Sequence, residues 1–191
     1  MEEICLASAS PRRRELLDQI GVPHLVAEPH IDESEHAGEG PIDLAKRLAA
    51  EKCAAVRDEV SHRLVLAADT VVFMDAHLLA KPQDRADARR MLEILSGRTH
   101  AVVSAVAVFN RESGETTVDI GITKVLFALL TDDEIEWYLD SDEWKGVAGG
   151  YRIQGRAAAL ITRIHGEYAT VVGLPIRVLY SILRQNKYLL P

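Results

Sequence analysis

Apolar and polar positions follow two periods along this chain, and the dominant one changes near the middle. Ile4-Cys5-Leu6-Ala7 is an unbroken apolar run, so residues 3–8 read as a strand. Residues 11–20 carry Leu16, Leu17 and Ile20 at helical spacing, with Gly21 as the stop. A short strand at 24–27 precedes a polar loop at 28–40. Pro41 then opens a long helix to about residue 59, whose Ile42, Leu44, Ala45, Leu48, Ala49 and Val56 form one stripe. Leu64 to Ala68 reads as a strand buried on both faces. It is expected to end at Asp69-Thr70 and resume as Val71-Val72-Phe73, with Asp75-Ala76 as a hairpin turn. Residues 84–95 predict a helix stopped by Gly97.

Beyond residue 98 the period shortens. Residues 99–109 and 115–128 are long β-type runs around a hairpin loop, Arg111-Glu112-Ser113-Gly114. Thr131 with Glu134 makes a capping box for a helix to about residue 140. A glycine-rich loop spans 146–155, a strand about 157–164, and Gly173-Leu174-Pro175 leads into a final helix. No repeat, low-complexity tract or linker interrupts this order. The expectation is one α/β domain over residues 1–191, with two lobes facing a cleft.

Composition narrows the function classes. With 48% hydrophobic and 27% charged residues, the 191-residue chain has the makeup of a globular domain. Its net charge of -7 argues against a nucleic-acid polymer as partner. No apolar run nears the roughly 20 residues that span a bilayer, so no membrane association is expected. The acidic start, Met1-Glu2-Glu3, runs straight into a strand and predicts no signal peptide. Cys5 and Cys53 sit in apolar settings and read as free core thiols of a reduced, cytoplasmic protein. The seven histidines show no HxxxH spacing and there is no CxxC, which speaks against structural zinc.

Candidate chemistry starts at Ser8-Ala9-Ser10-Pro11-Arg12-Arg13-Arg14, between the first strand and the first helix. Pro11 suits a first helical turn, Ser10 suits the cap before it, and a helix start with hydroxyls and guanidinium forks attracts anions. Three arginines on an acidic chain point to a small phosphorylated ligand; an ordinary cap followed by solvated arginines is the alternative. Asp69, after an apolar run, could hold a metal, orient water, act as a general base or merely cap a turn. Lys52, one heptad past Ala45, either snorkels or reaches into a site. Lys81 could meet a phosphate or lie in solvent. Asp32-Glu33 either offers carboxylates to a cation shared with Asp69 or belongs to an acidic surface loop. In Ala148-Gly149-Gly150-Tyr151-Arg152-Ile153-Gln154-Gly155, the glycines suit positive φ or close approach to a ligand. Gln154 could read a nucleobase edge there, and a structural turn explains the glycines equally well. No GxxxxGK[ST] is present, so any phosphate site is not a P-loop.

Taken in order, several segments resemble the Maf family of nucleoside triphosphate pyrophosphatases. They are Leu-Ala-Ser-x-Ser-Pro-Arg-Arg (6–13), Asp-Glu (32–33), Glu-Lys (51–52), Ala-Asp-Thr-Val-Val (68–72), Lys-Pro (81–82), Ser-Gly-x-Thr-His (96–100), Ala-Gly-x-Tyr-x-Ile-Gln-Gly (148–155) and Val-Val-Gly-Leu-Pro (171–175). The likeness runs from residue 4 to about residue 183. It implies a two-lobed mixed sheet with flanking helices around a central cleft, of the inosine-triphosphate-pyrophosphatase-like type. The implied reaction is hydrolysis of the α–β phosphoanhydride, giving a monophosphate and pyrophosphate, with a divalent cation, Mg2+ or Mn2+.

By the same resemblance Asp69 matches the catalytic proton acceptor. Arg12, Thr70 and Gln154 match the positions that set substrate choice in the branch acting on dTTP and UTP. Glu33, Lys52 and Lys81 match further polar positions of the cleft. From their own chemistry, Ser8 and Arg13 are candidate substrate-binding residues, and Glu33 with Asp69 candidate metal carboxylates. The implied partner is a nucleoside triphosphate, with a homodimer left open. Alternatives are a 7-methyl-GTP-type or other NTP specificity, including modified pyrimidines, and a non-catalytic nucleotide-binding regulator of septum formation. Arg152 stands where the family often has Gly or Ala, and Val147 where a lysine often precedes Ala-Gly. Lys145 or Arg152 is the candidate to replace that charge.

Overall fold

Seven strands form one mixed sheet in the computed structural model, which describes residues 2–75 and 77–188. They are β1 (Ile4–Ala7), β2 (His24–Ala27), β3 (Leu64–Met74), β4 (His77–Leu78), β5 (Thr99–Asn110), β6 (Glu115–Phe127) and β7 (Ile161–His165). Their order is β2-β1-β3-β5-β6-β7, with β4 hydrogen-bonded to β3. β1 runs parallel to β2 and β3; the other pairings are antiparallel. The helices are α1 (Pro11–Gln19), α2 (Pro41–Arg57), α3 (Arg85–Leu95), α4 (Asp132–Leu139), α5 (Tyr168–Val172) and α6 (Ile176–Gln185).

The two-residue period of β3 distributes the core to both faces of the sheet. Val65, Ala67 and Val71 join Leu44, Leu48, Cys53 and Val56 of α2 on one face. Leu64, Leu66, Ala68 and Val72 join Leu17, Leu92, Tyr138 and Leu179 on the other. Both cysteines are buried free thiols, as their apolar neighbours predict, and burial pushes the Cys53 thiol up to about 11.

Three expectations change, and a fourth lies partly outside the described residues. β3 does not end at Asp69 but runs unbroken for 11 residues, because β5 pairs with it from Leu64 to Phe73. The strand expected over 157–164 is a 3-10 turn at Arg156–Leu160 followed by β7, and the short α5 had no periodic signal. Ser10 occupies the N-cap of α1 but its side chain makes no capping bond; its backbone N–H donates to Ser8 Oγ at 3.3 Å. The turn expected at Asp75-Ala76 lies partly outside the described residues, Asp75 having φ 50° and Ala76 not being described.

Candidate active site

The site originates where β1 stops. The last parallel pair is Ala7 with Ala67, after which β1 turns through Ser8–Ser10 into α1 while β3 continues for seven more residues. This bares one edge of β3 at the carboxyl end of the parallel strands, where α/β sheets place ligands. Asp69 and Thr70 are the first residues past that point but one. As neighbours on a strand they point to opposite faces, so a cavity wrapping the open edge reaches both.

Asp69 shares its face with α2. Lys52 lies in the buried stripe of that helix, four residues past Leu48, and is 7% exposed. Its Nζ donates to Asp69 Oδ1 at 2.6 Å and lies 2.6 Å from Glu33 Oε1. An ammonium in an apolar stripe is tolerable because two carboxylates receive it. Lys81 Nζ donates to the other Glu33 oxygen at 3.2 Å. Glu33 is held below its ordinary carboxylate value by Lys52 and Lys81, against the opposing and largest effect of its own burial. Arg47 fixes the loop that delivers Glu33, donating to both Glu39 oxygens at 2.7 Å and to the Ser34 carbonyl at 2.9 Å.

On the other face Thr70 meets α1 and the turn after α5. Arg13 donates through Nε to Gly173 O at 2.9 Å, through Nη1 to Ser8 Oγ at 2.9 Å and through Nη2 to Thr70 Oγ1 at 3.3 Å. Ser104 Oγ gives its proton to Thr170 O at 2.7 Å, so the 2.8 Å contact with Thr70 is donated by Thr70. Arg13, Thr70, Ser104 and a carbonyl thus form a directional chain tying α1, β3, β5 and α5. Burial pushes the Arg13 guanidinium down, with Asp69 opposing.

The glycine-rich loop closes the third side. Gly149, at φ 72°, donates its N–H to Leu79 O at 2.8 Å, a backbone shape that favours glycine. A Cβ at Gly155 would sit 2.1 Å from the Glu143 carboxylate, which accepts from Arg156 N at 2.8 Å. Tyr151 is anchored by its hydroxyl, 2.7 Å from His100 Nε2, in an edge-to-face cluster with Phe127. Burial holds His100 down to about 4, so it is neutral near neutrality.

A cavity of about 650 Å³ results. Ser8, Arg12, Arg13, Glu33, Lys52, Asp69, Thr70, Lys81 and Gln154 all line it, as does Arg152. Asp32 does not; its carboxylate instead accepts from Ser34 N at 2.9 Å and shapes the loop. Lys145 does not either, being paired with Asp142 at 2.7 Å and set over the Trp144 ring. Sequence reasoning missed His100–Tyr151, Ser104 and Arg47. Only the Arg47–Glu51 spacing of four residues was a readable local signal.

Two carboxylates on a cationic wall suit Mg2+ or Mn2+, which take few protein carboxylates and complete their shell with phosphate and water oxygens. No group of three or more His, Cys, Asp or Glu placed to hold a metal ion occurs among the described residues, so no all-protein cage is formed. No helix among the described residues is long and apolar enough to cross a membrane.

Comparison with known proteins agrees with this arrangement. The model of the Maf family, described as Maf-like protein, matches residues 3–186. A dTTP/UTP pyrophosphatase of Symbiobacterium thermophilum is 45% identical over 98% of this chain and 96% of its own length. One of Syntrophomonas wolfei is 43% identical over 95% and 96%. The solved structure of a HAM1 protein from Coxiella burnetii superposes with a TM-score of 0.54 at 16% identity, covering 97% of this chain and all of that one. That likeness bears out the expected fold.

Proposed function

Because this chain belongs to the Maf family, we propose that it hydrolyses dTTP and UTP to the monophosphate and pyrophosphate. The observation that carries the reading is the cavity's charge. On a chain of net charge -7, five cationic side chains and three acidic ones line it. Arg12, Arg13 and Arg152 have no carboxylate partner within 4.0 Å among the described residues. Such an excess matches a polyphosphate.

Glu33 and Asp69 would hold a divalent cation, which when bound neutralises phosphate charge and polarises the phosphoryl oxygen. Lys52 keeps the two carboxylates together and would add its own charge beside the phosphates. Asp69 has Oδ1 bonded to Lys52, while among the described residues Oδ2 accepts nothing. A water oxygen attacks the α-phosphorus, its proton passes to Asp69, the α–β anhydride bond breaks, and the electron pair leaves with pyrophosphate. Arg13 and Arg12 stabilise the charge that gathers on the leaving group. Gln154, exposed and free of internal hydrogen bonds among the described residues, is available to the base.

Asp69→Asn tests this. Its amide oxygen can still accept from Lys52, so the fold should persist, while pyrophosphate release from dTTP should fall by about 10² or more. A variant with near wild-type turnover would refute the assignment.

A further inference from the structure

We infer that Arg152 is a substrate-binding residue that, with Arg12, forms an anion subsite for the pyrophosphate half of the nucleotide. The inference rests on the pyrophosphatase reading for its substrate, while the subsite itself stands on geometry.

Both arginines line the cavity, and neither guanidinium group has a carboxylate partner within 4.0 Å among the described residues. Arg152 is held from three directions. Its backbone N–H donates to Tyr138 Oη at 3.0 Å, its Nη2 to Lys145 O at 3.0 Å, and its carbonyl accepts from Gly155 N at 3.0 Å. That leaves Nε buried with no hydrogen-bond partner among the described residues. A buried orphan donor on a charged group is costly unless a ligand supplies the acceptor. Arg152 also acts on Arg12, pushing its guanidinium down alongside the larger effect of burial. Glu15 opposes that push but makes no ion pair with Arg12. Two like charges in one cavity, with no carboxylate within 4.0 Å of either among the described residues, are relieved most by the most highly charged part of a ligand. In a nucleoside triphosphate that part is the β- and γ-phosphates. Planar, permanently charged forks suit phosphate oxygens bidentately.

The alternative source of cavity charge on this loop, Lys145, is spent on Asp142 and lies outside the cavity. Near Arg152, Glu143 is directed to the backbone of Arg156 rather than to the guanidinium.

Calorimetric titration of the full chain with inorganic pyrophosphate and with dTMP, both in EDTA, tests the subsite without turnover or metal. Arg152→Ala should weaken pyrophosphate binding about tenfold to a hundredfold and leave dTMP within about twofold. Arg152→Lys should recover part of the loss, which a purely structural role would not predict. If Arg152→Ala lowers the melting midpoint by more than a few degrees, Arg152→Gln carries the comparison, since it keeps a donor for Lys145 O. Unchanged pyrophosphate affinity, an equal loss for dTMP, or no pyrophosphate binding by the wild type would each overturn the inference. A wild type that cleaves dTTP while its pyrophosphate affinity ignores Arg152 sinks this inference alone. Arg152-dependent pyrophosphate binding without cleavage of any triphosphate sinks the catalytic reading alone.

Discussion

Replacing Lys52 by methionine removes one ammonium and almost no volume, so its effect isolates charge. In the wild type that ammonium lies 2.6 Å from both Asp69 and Glu33, with side-chain exposures of 8%, 10% and 44% for Lys52, Asp69 and Glu33. Breaking a buried ion pair by removing one partner costs about 3–5 kcal/mol, because the remaining charge stays desolvated. Asp69 falls in that class, whereas half-exposed Glu33 recovers much of its hydration, so the low end applies. A loss of about 3 kcal/mol in a chain of this size lowers the melting midpoint by about 6–12 °C.

The pH dependence of the Lys52→Met effect has a fixed sign. Lys52 helps hold Glu33 below its ordinary 4.5, so its contribution is present above that pH and is lost as pH falls through the lowered value. The gap between wild type and Lys52→Met should therefore be widest near neutrality and shrink as pH falls below 4.5 and through the lowered Glu33 value. Millimolar Mg2+ or Mn2+ should raise the variant's midpoint more than the wild type's, since a divalent cation can replace the missing ammonium between the two carboxylates. Circular-dichroism melts at several pH values, with and without metal, provide the measurement. A neutral-pH gap under about 2 °C, a gap that widens in acid, or equal metal gains would refute the reasoning.

The remaining expectations concern other walls of the cavity. His100, held down to about 4 by burial, binds fewer protons folded than unfolded between about pH 4 and its ordinary 6.5. Stability should thus fall as pH drops through that window, by up to ~3 kcal/mol, and His100→Phe should flatten the slope; an unchanged slope in urea titrations would count against it. Gln154→Ala should lower kcat/KM for dTTP and UTP about tenfold with a midpoint shift within about 2 °C, because its amide is exposed and makes no internal bond among the described residues. Equal activity on both nucleotides would remove Gln154 from the site. Arg47→Ala should speed proteolysis of the 28–40 loop and lower turnover while costing about 1 kcal/mol of stability, since the loop clamp on Glu39 and Ser34 is lost together with the half-exposed pair to Glu51. An activity loss no larger than the stability loss explains would show that Glu33 is placed without it.

Local physics made much of this protein legible in its sequence. The α2 stripe, the capping box of α4, the two-faced burial of β3 and the β5–β6 hairpin each follow from side-chain periodicity or turn chemistry within a few residues. The ordered motifs also named polar residues that line one cavity. What only the tertiary structure decided depends on pairing across long separations. β5 turns Asp69 from a strand end into a mid-strand residue, and the early stop of β1 opens the edge beside it. The odd–even alternation of β3 then sends Asp69 to Lys52, 17 residues away, and Thr70 to Arg13, 57 residues away. Asp32 and Glu33 are adjacent carboxylates, yet one shapes a turn and the other meets two lysines. Arg12 and Arg13 are adjacent guanidinium groups, yet Arg13 is oriented by hydroxyls and a carbonyl while Arg12 makes no ion pair within 4.0 Å among the described residues. A one-residue step reverses direction on a strand and turns about 100° on a helix, so residue type alone cannot assign these roles. The direction in which each side chain meets its distant partners assigns them.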